Sequence, residues 1–244
     1  MNYAVCIPSK GRAGIVSTTQ FFNSVYIFVP EDEVKEYRVY ERTGHKVIGV
    51  PLSIRGITAT RNFILDWVKE QGFKYHIQID DDVEYFYYFE NTEKIIKTDK
   101  DWIDWLITRF FILIEDMGVY LWGLSLGPDK KFYREYSPFS LVSVIGANLF
   151  GIKDNPIRFD ERLKVKEDYD YALMHLYRYG RVVRSNKYGV KVKHYSNRGG
   201  CVSYRTAEVE EEAYRILRKK WGKIIKRQRG KTIGLSVESP YRGI

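Results

Sequence analysis

Lys74-Tyr75-His76-Ile77-Gln78-Ile79-Asp80-Asp81-Asp82-Val83 is the stretch on which the fold depends. Its alternating β-branched and aromatic residues predict a buried strand that ends in three carboxylates, Asp80, Asp81 and Asp82 (the acidic triplet). Ligands of open α/β sheets bind at the carboxyl ends of the strands, and a divalent cation bound there would relieve the repulsion within the triplet. The alternative is a solvated turn in which the aspartates make local hydrogen bonds.

The overall composition predicts a soluble protein with one α/β domain and a small appendage. The chain has 244 residues, 44% of them apolar, which excludes a disordered chain. Cys6 and Cys201 are far apart and have no zinc-site spacing. No signal-peptide pattern opens the sequence, and no apolar run is long enough to cross a bilayer. We therefore expect a reducing, cytoplasmic location and no membrane partner.

The charge of the chain points to its partners. Lys and Arg number 40 against 31 Asp and Glu, which gives a formal net charge of +9 and an isoelectric point of about 9.3. Such a surface attracts polyanions, with nucleic acid as the obvious candidate and membrane headgroups as an alternative. The 20 tyrosines and five tryptophans could stack on bases, although many of them must pack in the core.

Strand and helix patterns alternate along the first eighty residues. Strands are predicted at residues 3–7, 25–29 and 46–50, with helices at 17–22 and 31–43 between them. This alternation predicts right-handed βαβ units and a parallel sheet. The loop Pro8-Ser9-Lys10-Gly11-Arg12-Ala13-Gly14, which lacks the P-loop pattern, would then lie at the same sheet edge as the acidic triplet.

A helix predicted to begin at Thr58 or Thr60 places Arg61 and Asn62 in its first turn. A cation there opposes the helix dipole, so Arg61 indicates an anionic ligand or an acidic neighbour. The alternative is an ordinary salt bridge to Asp66 or another nearby acid.

The middle of the chain predicts three more strands and a second long helix. The strands are expected at residues 85–89, 119–126 and 141–150, and the helix at 101–116. The small residues Gly146-Ala147-Asn148 indicate that something approaches the backbone closely. The helix should face the core with a stripe of five large residues: Trp102, Trp105, Leu106, Phe110 and Leu113.

A further helix is predicted from Glu167 through residue 178, with Gly180 ending it. Glu167 and Asp168 open this helix, where the dipole stabilises carboxylates whether or not they have a function. A functional carboxylate at this position would act as a general base. Two strands, at 181–185 and 189–194, follow, and the second ends at His194, a position where a histidine is more often a surface residue than a ligand.

Together these features resemble the order of motifs in a known family of enzymes. Five of them occur in the order found in GT-A-fold glycosyltransferases: Pro8-Ser9-Lys10-Gly11-Arg12, Arg61-Asn62, the acidic triplet, Glu167-Asp168 and His194. The resemblance covers roughly residues 3–200. With Asn197-Arg198-Gly199-Gly200 and the small size, the chain resembles the phage glycosyltransferases of DNA hypermodification, which are associated with Tet-type dioxygenases and are kin of the base J glucosyltransferase.

The resemblance implies a fold and a reaction. The fold would be an α/β, GT-A-like, mostly parallel mixed sheet flanked by helices over residues 1–200, with a helical, basic appendage over 201–244. The reaction would be a metal-dependent, inverting transfer of a glucose-like hexose or a pentose from a UDP-sugar to the hydroxyl of a 5-hydroxymethylpyrimidine in DNA, in the host cytoplasm if the source is viral. The alternatives are a polysaccharide, lipid or protein acceptor, or a basic DNA-binding protein or two-metal nuclease.

The resemblance also implies roles for particular residues. Asp82 with Asp80 and His194 would hold the metal, with Mn²⁺ preferred and Mg²⁺ close behind. Asp168 is the first choice for the general base and Glu167 the second. The donor would be bound by Pro8, Ser9, Arg12, Arg61, Asn62 and Asp81.

The C-terminal tail carries the densest basic patch. Residues 206–227 predict an amphipathic helix with an acidic start that docks on the body. Its basic end would grip DNA phosphates, unless it is only a solvated face. The candidate acceptor and DNA contacts are Asn148, Lys219, Lys220, Lys226, Arg227 and Arg229.

Overall fold

The structure is a computed structural model, and it describes residues 1–91, 93–125, 127, 129, 133–193, 205–228 and 235–237. Within these residues lie twelve strands and five α-helices. The strands are β1 (Ala4–Pro8), β2 (Tyr26–Pro30), β3 (Lys46–Val50), β4 (Tyr75–Ile79), β5 (Val83–Glu90), β6 (Glu93–Lys97), β7 (Leu121–Ser125), β8 (Phe139–Ser140), β9 (Leu149–Lys153), β10 (Val183–Val192), β11 (Ile225–Arg227) and β12 (Leu235–Val237). The helices are α1 (Val34–Tyr37), α2 (Ile57–Glu70), α3 (Lys100–Asp116), α4 (Glu167–Tyr179) and α5 (Ala207–Trp221), and single 3₁₀ turns lie at Ser17–Phe21, Glu31–Glu33, Arg38–Thr43 and Gly222–Ile224.

One mixed sheet organises the described part of the chain. Its strand order is β3-β2-β1-β4-β9-β7-β10-β5-β6, with β8 paired to β10. The first four strands of this order are parallel, as the βαβ pattern predicts, and β9 runs antiparallel to both β4 and β7. The carboxyl ends of β1 to β4, the start of β9 and the end of β10 therefore meet at one edge of the sheet.

The expected helix over residues 31–43 is broken. It consists of two 3₁₀ segments around the single turn of α1. Its tyrosines point inward: the Tyr37 hydroxyl accepts the Arg12 amide at 2.8 Å, and the Tyr40 hydroxyl accepts the Val16 amide at 2.8 Å. The segment thus braces the loop after β1, and these tertiary hydrogen bonds outweigh helix propensity.

Two predictions of strands were wrong. Residues 141–150 predict one strand, but only β9 forms, and 141–148 run as a loop along the sheet edge. Residues 181–185 and 189–194 predict two strands, but β10 is continuous over Val183–Val192, with a register irregularity between Arg184 and Gly189. Gly189 lets β10 pass the Tyr87 ring, because a Cβ there would lie 2.1 Å from it. Apolar patterning does not show where a strand is interrupted or where it continues, because the packing of side chains between neighbouring strands decides both.

Helix α3 covers one face of the sheet with a stripe of six buried residues: Ile103, Leu106, Ile107, Phe110, Phe111 and Ile114. Trp122 of β7 stacks on Phe110 at 4.7 Å between ring centroids. Two positions of the expected stripe, Leu106 and Phe110, are buried. Trp105 was assigned wrongly, because its side chain is 44% exposed and packs against Arg109 instead.

The C-terminal helix docks on the body, as predicted, although it ends at Trp221 and not near residue 227. Ala213, Leu217 and Ile225 join the buried cluster beside α4. Asp170 of α4 is fully buried and accepts hydrogen bonds from Lys220 Nζ at 2.8 Å and Trp221 Nε1 at 2.7 Å. No helix in the described part of the chain is long and apolar enough to cross a membrane.

Candidate active site

A cleft of about 1200 Å³ opens at the sheet edge where the strand ends meet. The loop after β1 and the start of α2 form one side, and residues 144–148 and the start of α4 form the other. The acidic triplet lies between them. Of the residues proposed from the sequence, those that line the cleft are Pro8, Ser9, Arg12, Arg61, Asp80, Asp81, Asp82, Asn148, Glu167 and Asp168.

The backbone of the acidic triplet is tied to its neighbours on both sides. The Asp80 amide donates to the Asn148 carbonyl at 3.1 Å, and the Asp82 carbonyl accepts the Lys193 amide at 3.0 Å. Thr18 Oγ1 donates to the Asp80 carbonyl at 2.6 Å. These bonds replace the local hydrogen bonds of a solvated turn, so the strand delivers its carboxylates to a ligand-sized cleft.

Asp81 anchors the loop after β1. Its carboxylate accepts Ser9 Oγ at 2.6 Å and forms an ion pair with Arg12, whose guanidinium also lies 3.3 Å from Asp82 Oδ2. Ser9 Oγ in turn lies 3.0 Å from the Tyr37 hydroxyl. Asp81 is only 5% exposed, so its first contacts are with the protein. It therefore holds Ser9 and Arg12 in place along the cleft.

The other two aspartates of the triplet carry raised pKa values. Burial raises the pKa of Asp80 to about 7, and the negative charges of Asp82 and Asp81 add to this while the Arg61 guanidinium opposes it. Burial and the charge of Asp81 raise the pKa of Asp82 to about 6, against the effect of Arg12. The neighbouring arginines thus do not offset the burial of these two carboxylates, and a bound cation would stabilise their ionised forms.

Two of the three residues proposed as metal ligands lie in the described part of the chain. Asp80 and Asp82 present carboxylate oxygens, the hard ligands that Mn²⁺ and Mg²⁺ take, and so fit such an ion. His194 lies outside the described residues. Among the residues that are described, no group of three or more His, Cys, Asp or Glu side chains converges as a metal site.

Arg61 joins the acidic triplet to α4. Its side chain is 1% exposed; Nε donates to Glu167 Oε1 at 3.1 Å, Nη1 donates to Gln78 Oε1 at 3.2 Å, and Nη2 lies 3.8 Å from Asp80 Oδ1. The guanidinium also stacks over the Phe150 ring at 4.9 Å. Arg61 therefore has an acidic neighbour, and its binding of an anionic ligand stays a prediction.

Of the acids considered for an ordinary salt bridge, Asp66 is not the partner, because it pairs with Arg158 on the outer side of α2; the nearby acid is Glu167. Asn62 also turns away from the cleft. Its amide nitrogen donates to the Phe159 carbonyl at 3.0 Å and its oxygen accepts the Phe159 amide at 2.9 Å. Asn62 thus holds the segment before α4 and does not reach the cleft where the resemblance placed the donor.

Glu167 and Asp168 occupy the first turn of α4, as predicted, but in different surroundings. Glu167 is 5% exposed and is bound by Arg61. Asp168 is half-buried at the cleft wall, where Oδ2 accepts the Ala147 amide at 3.0 Å and Oδ1 accepts the Tyr169 amide at 3.0 Å. Burial and the charge of Glu167 raise the pKa of Asp168 to about 6.

Four candidate DNA-contact residues of the tail lie in the described part of the chain, and none of them lines the cleft: Lys219, Lys220, Lys226 and Arg227. Lys220 pairs with Asp160 and Asp170, and Arg227 pairs with Glu211 and packs over the Tyr214 ring at 4.4 Å. Lys219 and Lys226 are exposed, and Arg229 lies outside the described residues. Sequence reasoning also missed four residues that line the cleft or brace it, Tyr37, Lys166, Lys193 and Arg205, because no motif marks them.

Comparison with known families and structures now adds to this geometry. A sequence profile described as TET-Associated Glycosyltransferase matches residues 3–200. The chain belongs to the TET-associated glycosyltransferase family. It is therefore a glycosyltransferase, and the expected GT-A-like α/β fold is confirmed. No curated protein matches the sequence.

Solved structures share the fold of this TET-associated glycosyltransferase. Glucosyl-3-phosphoglycerate synthase from Mycobacterium tuberculosis, in complex with Mn²⁺, UDP and glucosyl-3-phosphoglycerate, superposes with a TM-score of 0.53 at 10% identity, covering 98% of this chain and 87% of that one. The same enzyme with Mg²⁺ and UDP gives a TM-score of 0.53 at 12% identity, with the same coverage of 98% and 87%. At such low identity these likenesses concern the fold alone.

Proposed function

We propose that this protein transfers a hexose or pentose from a UDP-sugar to the hydroxyl of a 5-hydroxymethylpyrimidine in DNA, with a divalent cation and with inversion at the sugar. The observation that carries the proposal is the cleft, where the acidic triplet and the first turn of α4 are joined by the Arg61 guanidinium. The TET association of the family supports a hydroxymethylated base as acceptor. The net charge of +9 supports DNA as the polymer that carries it.

The donor would occupy the side of the cleft next to β1. Pro8, Ser9 and Arg12 line this side, and Arg12 is the cation nearest the acidic triplet there. The M. tuberculosis enzyme of the same fold binds UDP with Mn²⁺ or Mg²⁺, which supports the same donor class here. Asp80 and Asp82, with His194, would hold the ion, and when bound it would neutralise the charge that grows on the leaving diphosphate.

Asp168 would take the proton from the acceptor hydroxyl. A general base needs a lone pair that faces the cleft and a pKa near the working pH. Glu167 is a poorer choice, because Arg61 already neutralises its charge at 3.1 Å. Each Asp168 oxygen accepts one backbone amide, which orients the carboxylate while leaving a lone pair, and its raised pKa of about 6 lies closer to the working pH than that of an ordinary aspartate.

The acceptor would enter past the loop at residues 144–148. Ala147 and Asn148 line the cleft here beside Asp168, and their small size lets a base come close to the backbone. A base in a duplex would have to turn out of the stack to reach this point. Of the basic tail, the proposed DNA contacts are the exposed lysines Lys219 and Lys226, together with Arg229. Lys220 and Arg227 help to dock the tail through ion pairs with Asp170 and Glu211.

A mass measurement tests the proposal. The protein is incubated with Mn²⁺, a panel of nucleotide sugars, and duplexes that carry 5-hydroxymethylcytosine, 5-hydroxymethyluracil or unmodified bases, and the digested nucleosides are weighed. We expect one sugar on one hydroxymethylated nucleoside, from a UDP-sugar only and with chelator abolishing it. Release of UDP without any modified nucleoside would refute the DNA acceptor, and DNA cleavage without a sugar donor would refute the transferase assignment.

A further inference from the structure

The turn that begins α4 has an unusual backbone. Lys166, the residue before Glu167, has φ +62° and ψ +22°, in the left-handed region. Among the described residues only one other non-glycine residue, Asn91, has a positive φ. Asn tolerates this conformation through its short polar side chain, whereas for a lysine the left-handed region is strained. Something must hold Lys166 in place.

A buried ion pair with the C-terminal helix does so. The Lys166 side chain is 7% exposed, and its Nζ lies 2.5 Å from Oε2 of Glu210 on α5. Glu210 is 3% exposed, and its other carboxylate oxygen binds Arg205 Nε at 2.5 Å. Burying these charges costs free energy, so such a pair is poorly explained as a device for stability alone. Glu210 also lies beyond residues 3–200, which the family profile matches.

We propose that Glu210 is a positioning residue for the transfer reaction: through the Lys166 ammonium it holds the left-handed turn that aims Glu167 and Asp168 into the cleft. Without the Glu210 carboxylate, the buried ammonium would lose this ion pair and move toward solvent, and φ of Lys166 would relax. Because Lys166 is the N-cap residue of α4, that relaxation reorients the first turn. It would weaken two contacts, Glu167 with Arg61 and Asp168 with the Ala147 amide.

The inference rests on the roles proposed above for Glu167 and Asp168, and its first test is kinetic. Glu210→Gln should lower kcat by about 10-fold or more while KM for the nucleotide sugar stays within about 2-fold, since the donor lies on the other side of the cleft. Glu212→Gln is the matched control, because Glu212 is exposed on the same helix, and it should leave both constants unchanged. A kcat for Glu210→Gln equal to that of the control would overturn the proposal.

Rescue separates positioning from a general loss of stability. Glycine adopts positive φ at little cost and carries no ammonium. The double variant Lys166→Gly with Glu210→Gln should therefore recover kcat to within about 3-fold of wild type, although it lacks the ion pair. If Glu210→Gln does not fold, the single variants Lys166→Gly and Lys166→Ala replace it, with the glycine variant active and the alanine variant impaired. Equal activity of these two would refute the role of the backbone turn.

Hydrogen exchange tests the same idea without any acceptor. The Ala147 amide should exchange faster in Glu210→Gln than in Glu212→Gln, and the double variant with Lys166→Gly should restore its protection. If wild type modifies no DNA yet Ala147 behaves in this way, the proposed function fails and the positioning role stands. If wild type modifies DNA and Ala147 exchange is unchanged in Glu210→Gln, the positioning role fails and the function stands.

Discussion

Replacing Arg61 by methionine tests the centre of the site. Methionine keeps an unbranched apolar side chain, two atoms shorter than arginine, and removes the charge and both side-chain hydrogen bonds, to Glu167 and to Gln78. Glu167, only 5% exposed, then keeps a charge without its partner. Breaking one side of a buried pair costs about 3–5 kcal/mol. For a chain of this size each kcal/mol shifts Tm by about 2–4 °C, so Arg61→Met should lower Tm by roughly 6–20 °C.

The double variant Arg61→Met with Glu167→Gln should be more stable than Arg61→Met alone. It removes both charges, so mainly the lost hydrogen bonds remain, at about 0.5–1.5 kcal/mol each. The four proteins of this cycle are compared by urea unfolding at pH 7.5, and we expect a coupling free energy of about 2 kcal/mol or more.

Arg158→Met is the matched control for this experiment. Arg158 also pairs with a carboxylate on α2, Asp66, but its side chain is 46% exposed and that of Asp66 is 54% exposed. Exposed pairs contribute about 0–1 kcal/mol, so the control should lose little stability. The reasoning fails if Arg61→Met is no less stable than Arg158→Met, or if the double variant loses the sum of the two single costs.

Three other substitutions test the rest of the structure. Asp168→Asn should lower turnover by about 10²–10⁴-fold with UDP affinity unchanged by calorimetry. Burial raises the pKa of Asp168 to about 6, so the folded state binds this proton more tightly than the unfolded state does. The stability that the proton contributes is lost as the pH rises from about 4 to 6. Asp168→Asn should therefore raise Tm at pH 7.5 but not at pH 3.5. Gly151→Ala should cost about 1–3 kcal/mol or more in urea unfolding, since its Cβ would lie 2.0 Å from Nε1 of the buried Trp122, and an unchanged midpoint would contradict this packing. Asp170→Ala should speed amide exchange across the C-terminal helix by removing the 2.7 Å bond from Trp221 Nε1, and exchange equal to wild type would show that other contacts hold the helix.

Local patterns in the sequence predicted much of the fold. The strand at 46–50 has the predicted bounds, and β1, β2 and β4 lie within a residue or so of theirs, because alternation and flanking Pro or Gly residues mark strand ends locally. The start of α4 at Glu167 and its end before Gly180, at φ +76°, follow from helix-end chemistry in the same way. Where side chains from distant segments determined the outcome, as in the broken helix at 31–43 and the loop at 141–148, the pattern misled.

The sequence by itself determined which chemistry is present: the acidic triplet at a strand end, the two carboxylates that begin α4, and a family resemblance that comparison has since confirmed. Only the tertiary structure decided what each side chain does. In the folded chain Arg61 pairs with Glu167, which is 106 residues away in the sequence. Asn62 hydrogen-bonds to the Phe159 backbone, and Lys220 forms an ion pair with Asp170. The physical reason is that periodicity is a local property of the chain, whereas a buried charge is costly without a partner, and packing across the whole fold decides which partner it has.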